Sequence, residues 1–167
     1  NTTSTGRVLD AVSALLGICR ERTYDGEPAM KLESAAVGGR IEEWELGFST
    51  RNGCEQLSSR ALMQQALHQQ ETSPGGNERV IRDIAASFQY NLARGIAQLA
   101  LHGAEREGID RIALSGGVAY NHAIRETIRR EITDHGAECV MNLDYPLGDG
   151  CVSFGQCIYA GKLLGLR

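Results

Sequence analysis

Several features are scarce or missing in this 167-residue sequence, and each absence excludes a class of protein. Aromatic residues make up 5% of the chain while apolar residues reach 42%, which predicts an aliphatic, helix-rich core. The chain has no run of about 18 apolar residues, so we expect no membrane-spanning helix. Its first ten residues, NTTSTGRVLD, contain neither the basic nor the apolar stretch of a secretory leader.

An excess of basic charge is also missing. Asp and Glu number 21 against 17 Lys and Arg, for a net charge of -4. Proteins that bind nucleic acid mainly by neutralising phosphates carry the opposite balance. The sequence therefore predicts a cytoplasmic protein that binds neither nucleic acid nor a membrane.

Recognisable patterns of metal-ligating residues are absent as well. The five cysteines form an odd number with no CxxC pair, which favours a reduced protein with buried thiols over a disulfide framework or a zinc ribbon. The four histidines show no HxxxH or HExxH spacing, so we interpret them as surface or capping residues. These residues are Cys19, Cys54, Cys139, Cys151, Cys157, His68, His102, His122 and His135.

Hydrophobic periodicity predicts one domain over 1–167, with a helical portion at 1–108 and a βαβα portion at 109–167. The helical portion contains a predicted strand at 41–50, a short helix at 54–70 and a long helix from residue 78 to the 103–108 region. In the βαβα portion, two strands separated by one helix have the length of a right-handed crossover between parallel neighbours. The fold class is α/β, and the abrupt Ser/Thr-rich start suggests a piece of a longer polypeptide.

The segment IALSGGVAYN is the first candidate binding site, because its glycines fall where a strand ends and a helix begins. Glycine there permits close approach of a ligand, and a helix start offers N–H groups to an anion. Ser115, Gly116 and Gly117 thus form either a nucleotide-binding turn or an ordinary tight turn. Asn121 could present its amide to a ribose or a base, or it could be a solvated helix residue.

Two carboxylates are further candidates. Asp149 follows the second strand and should emerge at the same sheet edge as Ser115, either as a helix cap or as a ligand for a metal or substrate. Asp10 lies beside the apolar face of the first helix, where a partly buried carboxylate needs a partner. That partner could be Arg7 or a ligand hydroxyl.

Taken together, GRVLDAVSALLG, YDGEPAMKLE, IALSGGVAYN and LGDGCVSFGQ resemble the C-terminal part of the hydrogenase-maturation carbamoyltransferases, the HypF family. The resemblance covers nearly the whole chain in the expected order. It implies a helix-rich portion of an actin/sugar-kinase/Hsp70-type (ribonuclease H-like) domain with a small, partly parallel sheet. Enzymes that make threonylcarbamoyl-adenosine in transfer RNA share this module.

The resemblance also implies roles for individual residues. Asp10, the Gly26-Glu27 turn and Asn121 after the Ser115–Gly117 turn match nucleotide-binding positions of the family. Asp149 matches an aspartate of a metal site, whose paired histidines have no counterpart in this chain. Catalytic residues are not assigned.

The resemblance implies transfer of a carbamoyl group from carbamoyl-adenylate to the C-terminal cysteine of the maturation partner HypE, for the cyanide ligand of nickel-iron hydrogenase. ATP and carbamoyl phosphate would be substrates of the full-length protein, with zinc or iron as its metal. This chain alone is expected to be inactive, to retain no metal, and to be able to dimerise. The alternatives are a module of transfer-RNA threonylcarbamoyl-adenosine synthesis and a non-catalytic nucleotide-binding interaction module.

Overall fold

A computed structural model describes residues 3–73, 77–142 and 144–165. The described residues form six α-helices, four short β-strands and two 3-10 turns. The helices are α1 (Thr5–Leu15), α2 (Glu27–Ala35), α3 (Ser59–Thr72), α4 (Glu78–Glu107), α5 (His122–Asp134) and α6 (Val152–Leu163). The strands are β1 (Phe48–Arg51), β2 (Cys54–Leu57), β3 (Arg111–Leu114) and β4 (Glu138–Met141), and the 3-10 turns are Gly117–Tyr120 and Asp149–Cys151.

Helix α4 is the centre of the molecule, and its predicted extent is confirmed. Asn77 caps its start by accepting a hydrogen bond from the Arg79 N–H, and Gly108 ends it in the left-handed conformation at φ 67°. Its buried face carries Ile84, Phe88 and Leu92, which belong to a core shared with α1, α2, α3 and α5. That core is mostly aliphatic, in agreement with the composition.

The prediction of a strand over 41–50 is wrong for most of its length, since only Phe48–Arg51 is a strand. Residues 40–44 instead bond to side chains of α4. Asn91 accepts from the Trp44 N–H (2.8 Å) and donates to the Glu42 carbonyl (2.8 Å), and Ser87 accepts from the Glu42 N–H (2.9 Å). The alternation of apolar and polar residues at 41–50 therefore belongs mainly to a segment that packs against a helix and not to a strand in a sheet.

The predicted helix at 54–70 is also partly wrong. Residues Cys54–Leu57 form β2, which pairs antiparallel with β1. Asn52 (φ 52°) and Gly53 (φ 77°) form the two-residue turn between the strands, a backbone that Asn-Gly adopts readily. The helix begins later, at Ser59, with Ser58 accepting from the Ala61 N–H as its cap.

The βαβ unit is confirmed. Strands β3 and β4 are parallel neighbours, with Arg111 opposite Glu138 and Leu114 opposite Met141. Helix α5 connects them and packs on α4 through Ile124, Ile128 and Ile132, all nearly inaccessible to solvent. The carboxyl ends of both strands therefore lie at one edge of the sheet.

The exposure of the cysteines and histidines tests two further expectations. All five cysteines are unpaired, but only Cys19 is buried and Cys54 and Cys157 are exposed, so the expectation of uniformly buried thiols is wrong. The four histidines are all exposed, as predicted. No helix within the described ranges is both long enough and apolar enough to cross a bilayer.

Candidate functional site

The loops that follow β3 and β4 are bonded to each other at the carboxyl edge of the sheet. The Gly116 N–H and the Ser115 hydroxyl both donate to the Leu147 carbonyl, at 2.7 and 3.1 Å. In return, the Gly148 N–H donates to the Tyr120 hydroxyl at 3.2 Å. The expectation that Ser115–Gly117 and Asp149 emerge at the same sheet edge is therefore confirmed.

Glycine is required at two positions of this junction. Gly116 has φ 102°, a conformation that side chains with a Cβ rarely adopt. A Cβ on Gly148 would lie 2.9 Å from the Tyr120 ring and 3.4 Å from the Gly117 Cα. A Cβ on Gly117, by contrast, would meet no atom within 4 Å and would extend into open space. The backbone at Gly117 is thus accessible to a ligand.

Asn121 is neither a solvated helix residue nor a side chain that points freely outward. It is the N-cap of α5 and is 7% exposed. Its Oδ1 accepts from the Ile124 N–H at 2.9 Å, and its Nδ2 donates to Gln89 Oε1 at 2.7 Å. One of its two amide hydrogens is thereby committed to the protein interior.

The start of α5 is less available to an anion than the sequence suggests. Glu33 of α2 accepts from the His122 N–H at 2.7 Å, and Asn121 takes the Ile124 N–H. A carboxylate at a helix start complements the helix dipole, so Glu33 occupies the place that a phosphate would take. The first two N–H groups of the preceding 3-10 turn, at Gly117 and Val118, have no acceptor inside that turn.

Asp10 and the Gly26-Glu27 turn lie together on the neighbouring helices. Arg7 pairs with Asp10 at 3.0 Å, which confirms the expected partner, and reaches Asp25 of the turn at 3.5 Å. Gly26 precedes α2 in the left-handed conformation at φ 82°. Arg7 therefore links the α1 carboxylate to the turn that begins α2.

Glu27 is 5% exposed and strongly bound within the chain. Its carboxylate pairs with Lys31 at 2.7 Å and accepts from the Thr23 N–H and hydroxyl. The Lys31 ammonium, followed by the Thr23 N–H, lowers the pKa of Glu27 to about 2. The carboxylate is thus charged at neutral pH and holds the turn in place.

Asp149 is the first residue of a 3-10 turn and is exposed to solvent. Among residues 3–73, 77–142 and 144–165, no three His, Cys, Asp or Glu side chains are arranged to hold a metal ion. One exposed carboxylate is an insufficient donor set for zinc, which takes three or four protein ligands. The described residues alone therefore do not fit a metal centre.

Two cavities formed by the described residues lie away from these loops. A cavity of about 470 Å³ lies at the opposite edge of the β3–β4 sheet and is lined by His102, Asp110 and His135 among others. A groove of about 790 Å³ lies between α1, the hairpin and α4, with Leu57, Leu92 and Ile96 in its lining. The candidate site is an open surface with one wall.

Comparison with known proteins identifies the family of the chain. A family model described as "Carbamoyltransferase, Kae1-like Domain, second subdomain" matches residues 1–156. The chain belongs to the HypF carbamoyltransferase family. A probable carbamoyltransferase HypF of Methanocaldococcus jannaschii is 37% identical over 155 residues, which cover 93% of this chain and 19% of that protein.

Solved HypF structures share the fold. The crystal structure of T. kodakarensis HypF superposes with a TM-score of 0.81 at 37% identity, covering 97% of this chain and 20% of that one. A full-length HypF in a phosphate- and nucleotide-bound form gives 0.83 at 27% identity, covering 96% and 20%. The chain is thus a helix-rich α/β Kae1-like subdomain and spans about one fifth of the HypF proteins it matches.

A second branch matches more distantly. A tRNA N6-adenosine threonylcarbamoyltransferase of Geobacter metallireducens is 30% identical over 137 residues, which cover 80% of this chain and 38% of that protein. The relation between the two branches, expected from the quoted segments, is therefore confirmed.

Sequence reasoning missed three residues whose side chains bond to the loops and the helix start of the site, namely Gln89, Glu33 and Tyr120. A signal existed for Gln89, because it is an amide within the apolar stripe of α4. Nothing in the local pattern places Glu33 at the start of α5, because Glu33 and its partner His122 are 89 residues apart in the chain.

Proposed function

We propose that this chain is the second subdomain of the Kae1-like domain in a longer HypF-type carbamoyltransferase, active in the cytoplasm. Its loops after β3 and β4 form one wall of a pocket that holds carbamoyl-adenylate. The carbamoyl group then passes to the C-terminal cysteine of HypE, toward the cyanide ligand of nickel-iron hydrogenase. Five unpaired cysteines suit a reducing compartment.

One observation carries the proposal: the bonded loops at the carboxyl edge of the sheet, with open space over Gly117. Ligands of α/β proteins bind at this edge. The Gly117 and Val118 N–H groups could donate to the phosphate, and Ser115 and Gly116 hold those donors through Leu147. We assign Asp10, the Gly26-Glu27 turn and Asn121 to the nucleoside side.

The proposed reaction is a carbamoyl transfer between an oxygen and a sulfur. The cysteine thiolate of HypE attacks the carbamoyl carbon, a C–S bond forms, and the bond from that carbon to the adenylate oxygen breaks. AMP leaves with the electron pair, and HypE carries an S-carbamoyl group. Formation of carbamoyl-adenylate from ATP and carbamoyl phosphate belongs to another part of the longer polypeptide.

A divalent metal, zinc or iron, would polarise the carbamoyl or phosphate oxygen when bound. Asp149 would contribute one ligand, and the others would come from outside this chain. The role of this chain's own residues is to bind and orient the adenylate against the metal-bearing wall.

The test uses the full-length protein and follows transfer of labelled carbamoyl to the HypE cysteine. We expect Gly117→Val, Asn121→Ala and Asp149→Ala each to reduce the rate at least about tenfold, the effect of losing one well-placed contact in a closed site. Gly103→Ala is the matched control, because a Cβ there also meets no atom within 4 Å. Full activity of all three site variants would refute the site assignment.

The threonylcarbamoyl branch is the second candidate, supported by the 30% identity to the Geobacter protein. Incubation of the full-length protein with transfer RNA separates the two, since a modified adenosine would favour that branch. A third candidate, a nucleotide-binding interaction module, would bind ATP and a partner without turnover.

A further inference from the structure

Gln89 is a buried amide in the middle of α4 and is 1% exposed. Its Nε2 donates to the Ala85 carbonyl at 3.1 Å and to the Leu32 carbonyl of α2 at 3.4 Å. Its Oε1 accepts from Asn121 Nδ2 at 2.7 Å. One side chain thus connects α4 to the helix that carries Glu27 and to the cap of α5.

The direction of these bonds fixes the orientation of Asn121. Both carbonyls next to Gln89 accept only, so its Nε2 must face them and its Oε1 must face Asn121. Asn121 must therefore turn its Nδ2 toward Gln89 and its Oδ1 toward the Ile124 N–H. The reverse orientation would oppose two oxygens and leave a buried N–H without an acceptor.

The bond matters for the site because of what precedes Asn121. The 3-10 turn Gly117–Tyr120 ends directly at this residue, and the Asn121 N–H donates to the Val118 carbonyl at 3.0 Å. The backbone that carries the Gly117 and Val118 N–H groups is thus continuous with a cap whose side chain is held from α4. Loss of the interior bond would remove one constraint on the cap and on the turn that ends at it.

We propose that Gln89 is a positioning residue for the nucleotide site: it fixes the Asn121 amide and, through it, the Gly117–Tyr120 turn. The inference rests on the proposed function, since it assigns that turn to the adenylate. Gln89 itself has no access to the ligand.

The test measures ATP binding to the full-length protein by calorimetry. Because the proposed function also places ATP use in another part of that protein, the variants are compared only on the binding event that Gly117→Val weakens. Gln89→Met keeps a side chain of similar length and removes both polar atoms. We expect this variant to weaken that binding event about tenfold, the effect of an unpaired buried group.

Asn91→Leu is the matched control, because Asn91 is a buried amide two residues away on α4 that bonds to Trp44 and Glu42 and not to the site. It should lose stability and retain ATP affinity. If Gln89→Met does not fold, Gln89→Asn replaces it, since its amide is one methylene too short to contact Asn121.

A double-mutant cycle with Asn121→Ser gives a readout that general destabilisation would not move. Once the amide to be oriented is gone, replacing Gln89 should weaken ATP binding no further. Unchanged affinity in the Gln89 variant, an equal loss in Asn91→Leu, or additive losses in the cycle would each overturn the inference. If Gly117→Val itself has no effect on any binding event, the proposed function fails instead.

Discussion

The contact between residues 40–44 and α4 leads to a quantitative prediction. Asn91 is fully buried and bonds to the Trp44 N–H and the Glu42 carbonyl, which have no neighbouring strand to bond with. Asn91→Leu keeps a side chain branched at Cγ and leaves both backbone groups unpaired. Two unpaired groups at about 1–3 kcal/mol each cost about 2–6 kcal/mol, and burying an apolar side chain returns about 1–2 kcal/mol, so we expect a loss centred on about 2–3 kcal/mol.

Two further positions along the same segment set an expected order. Ser87→Ala removes the acceptor of the Glu42 N–H at a part-buried contact, for a loss of about 1–2 kcal/mol. Asp83→Ala removes the acceptor of the Arg40 N–H at an exposed contact, where water replaces it, for a loss of about 1 kcal/mol or less. The cost should rise from Asp83 to Ser87 to Asn91 as the contact becomes more buried.

Urea unfolding of the 167-residue chain measures this order. Trp44 is the only tryptophan and packs edge-on to Phe88 with ring centroids 6.2 Å apart, so its fluorescence reports the segment directly. The Asn91 variant should lower the urea midpoint by about 1–2 M. Equal losses at the three positions, or the largest loss at Asp83, would show that these bonds do not fix the segment.

Three further predictions concern the site. Because the pKa of Glu27 is lowered to about 2, its pairing stabilises the fold fully above its usual pKa near 4.5 and is lost as pH falls toward about 2. Glu27→Gln should therefore give a Tm that varies less with pH between about 4.5 and 2, and an unchanged slope would contradict this. Gly148→Ala brings a Cβ within 2.9 Å of the Tyr120 ring, so it should reduce carbamoyl transfer in the full-length protein, whereas Gly103→Ala should not. The 167-residue chain should bind less than one zinc or iron per molecule after dialysis against a chelator, and stoichiometric metal by elemental analysis would refute this.

The sequence predicts the parts of this fold whose signal is local. The apolar stripe of α4 gives its extent, and the spacing between β3 and β4 gives parallel neighbours. It fails at 41–50 because alternation indicates extended backbone without naming the partner, which here is a row of polar side chains on a helix. It fails at Cys54–Leu57 because the predicted helix was extended over the strand that follows the Asn52-Gly53 turn, a turn type that the Asn-Gly pair favours.

The candidate site also has parts that the local sequence predicts and parts that it does not. Gly116, Gly117 and Asp149 follow from strand ends and parallel pairing, which fix one sheet edge. The surroundings of Asn121 could not be predicted, because Gln89 lies 32 residues before it and Glu33 meets the next residue from 89 residues away. Contacts of such separation depend on how α2, α4 and α5 pack, and local periodicity carries no information on that.

Helix α6 is an uncovered apolar helix beside the candidate site. It has no buried residue, and Phe154, Ile158, Tyr159 and Leu163 are between 41% and 70% exposed. A helix that is apolar on all sides is normally buried. It directly follows the Asp149 turn, so whatever covers α6 lies next to the candidate site. The chain spans about one fifth of the HypF proteins it matches, so we expect other parts of a longer HypF-type polypeptide to cover α6, beside the proposed adenylate site.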